Sequence, residues 1–224
     1  MYRKLNDVLI ASAENVPKVY DSGHKVGFEE GKTAERDDFW EVFQGGGAAK
    51  SYYYAFSYNR FNDETYNPRY TIKCSTANTS AQSMFYYTTL ITDTKVAIDV
   101  TSTTHIGGMF YNASRLKTIR KIIIDSGAIS GGGTAFTNCE ALEEITFEGE
   151  IVQNINFQWS VRLYKASIES VITALSSTTS GLTVTFSKEA VNNAFGIDID
   201  DESTYTEEWN TLRNSKSNWT FSYI

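Results

Sequence analysis

The chain of 224 residues carries two prolines, two cysteines and two histidines, and each shortage removes a class of explanation. Cys74 and Cys139 lie far apart, with no C-x-x-C pair, so neither a zinc site nor a redox site is expected, and the two read as buried free thiols. His24 and His105 sit in no recognisable catalytic motif, which leaves a hydrolytic triad without its base; no catalytic residue is assigned and an enzyme is not expected. Cationic excess is missing too. Lys and Arg number 20 against 27 Asp and Glu, a formal charge of −7, and the cations are scattered, so there is no footprint for a phosphate backbone and nucleic acid is not an expected partner. No window approaches ~18 consecutive apolar residues, so no membrane-spanning helix is expected. The stretch from Met1 begins with positive charge, but Asp7 and Glu14 interrupt it before an apolar run develops, so it does not read as a signal peptide.

What is present is aromatic and turn-rich. Tyr and Phe number 14 and 13, and Gly, Thr and Ser are abundant while Pro is confined to Pro17 and Pro68, a balance that favours β structure. Residues 1–44 form an exception. Leu5, Val8 and Leu9 keep helical spacing up to Pro17, and beyond it Val19, Val26, Thr33 and Trp40 recur every seven residues. Gly23, Gly27 and Gly31 fall on one face of that second helix. Each costs roughly 1 kcal/mol relative to Ala, so the pattern calls for a compensating partner, and close approach of another helix is the expected one. Val19, Gly23, Val26, Gly27, Gly31 and Trp40 are therefore the candidate docking and self-association residues, with a trimer as the preferred assembly.

Gly45, Gly46 and Gly47 end the arm, and residues 45–83 read as an aromatic linker and N-terminal cap. Its tyrosines Tyr52, Tyr53, Tyr54, Tyr58, Tyr66 and Tyr70, together with Tyr86 and Tyr87, are candidates either for a ligand surface or for closing the end of a core, since tyrosine gives large contact area at low entropic cost.

The middle of the chain repeats itself. Phe110, Ala113, Leu116 and Ile119 share their spacing with Phe136, Cys139, Leu142 and Ile145, and Asn112 and Asn138 each follow the Phe by two, a period of 26 residues. Met84, Tyr87 and Leu90 are read as a degraded copy before them, and Phe157, Ser160 and Leu163 as one after. Strand-like runs Lys95–Val100, Arg120–Asp125 and Glu144–Glu148 separate the blocks. Stacked units of this kind bury like side chains on like, which predicts a short β-solenoid over 84–165 with Phe110, Leu116, Ile119, Phe136, Cys139, Leu142, Ile145, Phe157 and Leu163 as its core. Residues 166–224 are expected to cap it as an α/β unit: a helix from Ser167 to Ser176, a strand Leu182–Phe186 after Gly181, a helix from Ser187 to Phe195, a helix Glu207–Lys216 and a final strand Trp219–Ile224.

The block Phe136-Thr-Asn-Cys-Glu-Ala-Leu-Glu-Glu-Ile145 resembles the BspA-like leucine-rich repeats of bacteria and their phages. The segment Ser167–Phe195, continuing to Trp209 and Trp219, and the arm from Tyr20 to Trp40 are similar to repeat proteins encoded with phage and prophage structural genes. The expected fold class is thus mainly β with α, a short leucine-rich-repeat-type β-solenoid with a helical N-terminal arm and an α/β C-terminal cap. The resemblance implies a non-enzymatic virion or tail accessory protein, assembled in the bacterial cytoplasm. Its expected partners are its own copies, other virion proteins and a host-surface protein or glycan. A bacterial surface adhesin or carbohydrate-binding module is the alternative. No cofactor is implied. The acidic run Asp198, Asp200, Asp201 and Glu202 departs from the spacing of a calcium loop and reads as a solvated turn before a helix start, so no metal is assigned. Gly131-Gly-Gly133 lacks the Lys-Ser or Lys-Thr of a phosphate loop and reads as a turn of the repeat.

Overall fold

The computed structural model describes residues 55–59, 61–68, 71–74, 79–101, 103–125 and 130–224. The arm residues Val19, Gly23, Val26, Gly27, Gly31 and Trp40, and Tyr52, Tyr53, Tyr54 and Tyr70, lie outside them.

The short runs rich in β-branched residues pair in parallel. β1 (Ile72–Lys73), β3 (Ala97–Asp99), β5 (Thr118–Ile124) and β6 (Glu144–Gly149) form a four-stranded sheet in that order, while β2 (Thr79–Ser80) and β4 (Thr103–His105) form a two-stranded one. Register sets Ile72 against Ile98, Ile98 against Ile122 and Ile122 against Phe147, with a shift between Ile119 and Ile122 in β5. A third parallel sheet, β7 (Ile155–Phe157), β8 (Leu182–Phe186) and β9 (Trp219–Tyr223), stands apart from the first. Parallel neighbours need crossovers, and here several are helical. A single turn α1 (Gly132–Ala135) lies between β5 and β6, α2 (Lys165–Ala174) between β7 and β8, and α3 (Lys188–Phe195) and α4 (Glu207–Asn214) between β8 and β9.

This corrects the expected class. The described residues form an α/β arrangement of small all-parallel sheets of four, three and two strands, not a mainly β leucine-rich-repeat-type solenoid. The physical cause sits at β6. An unpaired strand edge invites another strand, but here α2 takes that place: Ile145 N–H donates to Ser167 Oγ at 3.0 Å and Phe147 N–H to Ser170 Oγ at 2.9 Å. Ser167 Oγ in turn donates to the Glu143 carbonyl at 3.1 Å. Helix serines close the sheet, and the strands that follow start a new one.

One core nonetheless runs through both the four-stranded and the three-stranded sheet. Phe56, Phe85, Phe110, Phe136, Phe157 and Phe186 are fully buried and stack in sequence, with successive centroids 4.9, 5.1, 5.6, 4.5 and 6.0 Å apart. Each such ring contributes roughly 1.5–3 kcal/mol by leaving water. The expected core residues Phe110, Leu116, Ile119, Phe136, Cys139, Leu142, Ile145, Phe157 and Leu163 are all buried. The copy before them is displaced by one residue from the expected Met84, Tyr87 and Leu90. Phe85, Thr88 and Ile91 hold the buried ladder positions, while Tyr87 and Leu90 are exposed. The turn from Phe85 to Phe110 spans 25 residues rather than 26, so carrying the period back unchanged lands one position early.

Candidate binding surface

Beside the first four phenylalanines of the stack, each turn carries a residue in the left-handed backbone region, and these residues line up. Tyr58, Tyr87, Asn112 and Asn138 have φ of 56°, 55°, 57° and 57° and each follows its stacked Phe by two positions. Main-chain bonds hold the row in register. Tyr58 N–H donates to Tyr86 O at 2.8 Å, Tyr87 N–H to Tyr111 O at 2.8 Å and Asn112 N–H to Thr137 O at 2.9 Å. Asn is the non-glycine residue that tolerates this conformation best, and the Asn138 amide donates to Asn112 Oδ1 at 2.6 Å.

Tyrosine at such a position is costly, on the order of 1–2 kcal/mol, and both tyrosines are displayed rather than packed away, Tyr58 at 54% exposure and Tyr87 at 41%. Half-buried Tyr86 and Tyr111 flank them. Tyr58 and Tyr87 lie nearly parallel at 6.1 Å, Tyr86 and Tyr111 at 5.1 Å, and Tyr86 meets Tyr87 at 4.6 Å. The four rings support one another in a fixed patch at one end of the row. Asn59 anchors that end: its Nδ2 donates to Thr89 Oγ1 at 2.8 Å, and Oδ1 accepts from the Thr89 N–H.

The tyrosines named from sequence therefore divide. Tyr58 is on the surface. Tyr66 is corrected: it is fully buried, edge-on to Phe56 at 5.5 Å, and its hydroxyl donates to Thr94 O at 3.1 Å. Burial holds its phenol well above the ordinary range. With Phe61 it closes the end of the core below the patch. Sequence reasoning missed Tyr111 altogether, although it directly precedes Asn112 in the repeat and so was marked by the period.

The remaining candidates resolve into local structure. His105 is half-buried and its Nδ1 accepts the Gly107 N–H at 3.0 Å; His24 lies outside the described residues. Cys74 and Cys139 are free, buried thiols, pushed far up by burial, and Cys139 Sγ donates to Phe110 O at 3.1 Å. Asp201 accepts from Ser203 N–H at 3.0 Å and Ser203 Oγ at 2.7 Å, which lowers its carboxyl below the usual value and caps the 3-10 turn Glu202–Thr204. Asp200 pairs with Lys188 at 2.8 Å. Gly131, at φ 90°, turns the chain into α1, whose Gly132 N–H is taken by Gln153 Oε1 at 2.8 Å. Among the described residues no three His, Cys, Asp or Glu side chains come together as a metal would require, and no helix there is long and apolar enough to cross a membrane.

Comparison with family models, with curated proteins and with solved structures finds no match to this chain.

Proposed function

We propose that the protein is a non-enzymatic accessory component of a phage or prophage virion or tail, which presents its tyrosine patch to a protein or glycan of the host surface. The observation that carries this reading is that Tyr58 and Tyr87 occupy left-handed positions, where Asn112 and Asn138 show the cheaper solution, and are exposed there. Strain held at a displayed aromatic is the kind of cost that a binding site retains, and tyrosine is a rigid anchor with two side-chain torsions to freeze. The particle setting rests on the likeness of Phe136–Ile145 and of the C-terminal segment to repeat proteins of phage structural genes. In this reading the arm of residues 1–44 docks to the particle or gathers copies of the chain, a trimer being preferred.

The test joins two measurements. Purified particles from a strain carrying the gene are analysed by mass spectrometry, and the purified protein is assayed for binding to host cells beside a Tyr58→Ala/Tyr87→Ala variant. The chain is expected in the particle, with the variant folded by circular dichroism and at least about tenfold weaker, the loss that two aromatic contacts support. Absence from the particle, or undiminished binding by the folded variant, defeats the proposal.

A further inference from the structure

The two large sheets end differently. At β6 the outward amides are taken by Ser167 and Ser170. β9 is the last strand of the other sheet and pairs only with β8. Ile224 fixes which of its groups face inward, because its N–H donates to Phe186 O at 3.1 Å and its C=O accepts from Lys188 N–H at 3.0 Å. Strand alternation then turns Ser222 and Thr220 toward β8 and turns Trp219, Phe221 and Tyr223 outward. The Trp219 N–H is spent on Lys216 O at 2.9 Å. Among the described residues nothing takes up the outward N–H groups of Phe221 and Tyr223 or the C=O groups of Trp219, Phe221 and Tyr223.

We propose that β9 is a self-association edge, on which β9 of a second copy of this chain pairs antiparallel about a two-fold axis at Phe221. The free groups fit that occupant. Phe221 and Phe221 of the second copy exchange two hydrogen bonds, and each Tyr223 N–H reaches the Trp219 C=O across the axis. The Trp219 N–H, which this register would set against the Tyr223 C=O of the second copy, is already spent on Lys216 O, so the seam rests on four main-chain hydrogen bonds and leaves the Tyr223 C=O to solvent. The strand Trp-Thr-Phe-Ser-Tyr also lacks the charge, proline and glycine that guard exposed edges. The strand itself therefore brings no like charges face to face at the seam. The joined sheets form one six-stranded sheet. This contact uses none of the residues of the tyrosine patch, and it stands or falls independently of the proposed function.

Hydrogen exchange of the full chain, read at β9 over a range of protein concentrations, tests it, because it reports on these amides themselves. The register sets Thr220 opposite Ser222 of the second copy, so a Thr220→Lys/Ser222→Lys variant places like charges across the seam and a Thr220→Lys/Ser222→Glu variant places opposite ones. The Phe221 and Tyr223 amides are expected to slow on the order of tenfold as concentration rises, to lose that protection in the first variant and to regain it in the second, with unchanged melting of the dilute protein. Fast exchange at every concentration overturns the proposal. So does protection independent of concentration, which would mean the chain covers its own edge, and so does protection that ignores the charge pattern, which would mean another occupant or register.

Discussion

Replacing Gly149 by alanine puts a methyl group where the protein has main chain. Gly149 ends β6 at φ 102°, opposite Ile124 of β5, and a Cβ built there lies 1.6 Å from the Ile124 carbonyl oxygen. Gly181, before β8, provides the internal control: its φ is 75°, and nothing stands within 4 Å of its Cβ. Both substitutions incur a left-handed penalty of about 1–2 kcal/mol. Only Gly149→Ala adds a clash that no side-chain rotation relieves, which overpacking data put at about 1–3 kcal/mol, and moving the carbonyl away gives up about 1 kcal/mol of strand hydrogen bond. The totals are about 3–6 kcal/mol for Gly149→Ala and about 1–2 kcal/mol for Gly181→Ala. At roughly 3 °C per kcal/mol for a protein of this size, the melting temperature should fall by about 13 °C in the first and about 4 °C in the second. Thermal and urea unfolding by circular dichroism, run in parallel, measures both. Equal shifts would refute the reasoning, because they would mean that the β5–β6 junction yields as freely as an open turn.

Phe136→Ala should cost about 3–5 kcal/mol, since the ring is buried between Phe110 and Phe157; a loss under about 1 kcal/mol in urea unfolding would disprove the stacked core. Ser167→Ala strands the buried Ile145 amide and should destabilise by about 1–3 kcal/mol, with Ser170→Ala losing less at the half-buried Phe147 amide; indifference to Ser167→Ala would remove the serine closure of β6. Both thiols should resist a disulfide reagent at neutral pH in the native protein and react fully in denaturant; titration of either in the native state would contradict their burial. Asp201 has a folded pKa below its unfolded value, so its stabilisation is complete above the unfolded carboxylate pKa and is lost as pH falls through the folded one. NMR titration of its carboxyl should therefore show a midpoint that rises toward the ordinary value in Ser203→Ala.

The sequence was most legible where local chemistry decides structure. Gly181 and the alternation of Leu182–Phe186 mark β8, Ser187 caps α3 by accepting from Ala190 N–H at 3.4 Å, and Thr206 caps α4 by accepting from Trp209 N–H at 3.2 Å. The 26-residue period revealed the phenylalanine ladder, and its failure one turn earlier came from a missing residue between Phe85 and Phe110 that a fixed period does not register. Ser167 misled differently. A serine before an apolar helical run reads as an N-cap, yet α2 begins at Lys165 after Tyr164, and the hydroxyl is spent on β6 instead. That long-range use ends the first sheet, and no local pattern encodes it. Aromatic density between residues 52 and 70 likewise could not separate the buried Tyr66 from the exposed Tyr58, because both readings want the same residue type.

The row of left-handed positions separates what the fold requires from what it carries. At Asn112 and Asn138 the backbone demand is met by a residue suited to it, and the two side chains join in a hydrogen bond along the row. At Tyr58 and Tyr87 the same demand is met by a residue ill suited to it, and part of that cost is offset by ring contacts with Tyr86 and Tyr111, worth about 0.5–1.5 kcal/mol each. The core does not need these rings, since the Phe ladder beneath them is already closed by Phe61 and Tyr66. A position whose backbone favours asparagine, whose packing is complete without it and whose ring faces water is better explained by what it meets outside the molecule than by anything inside.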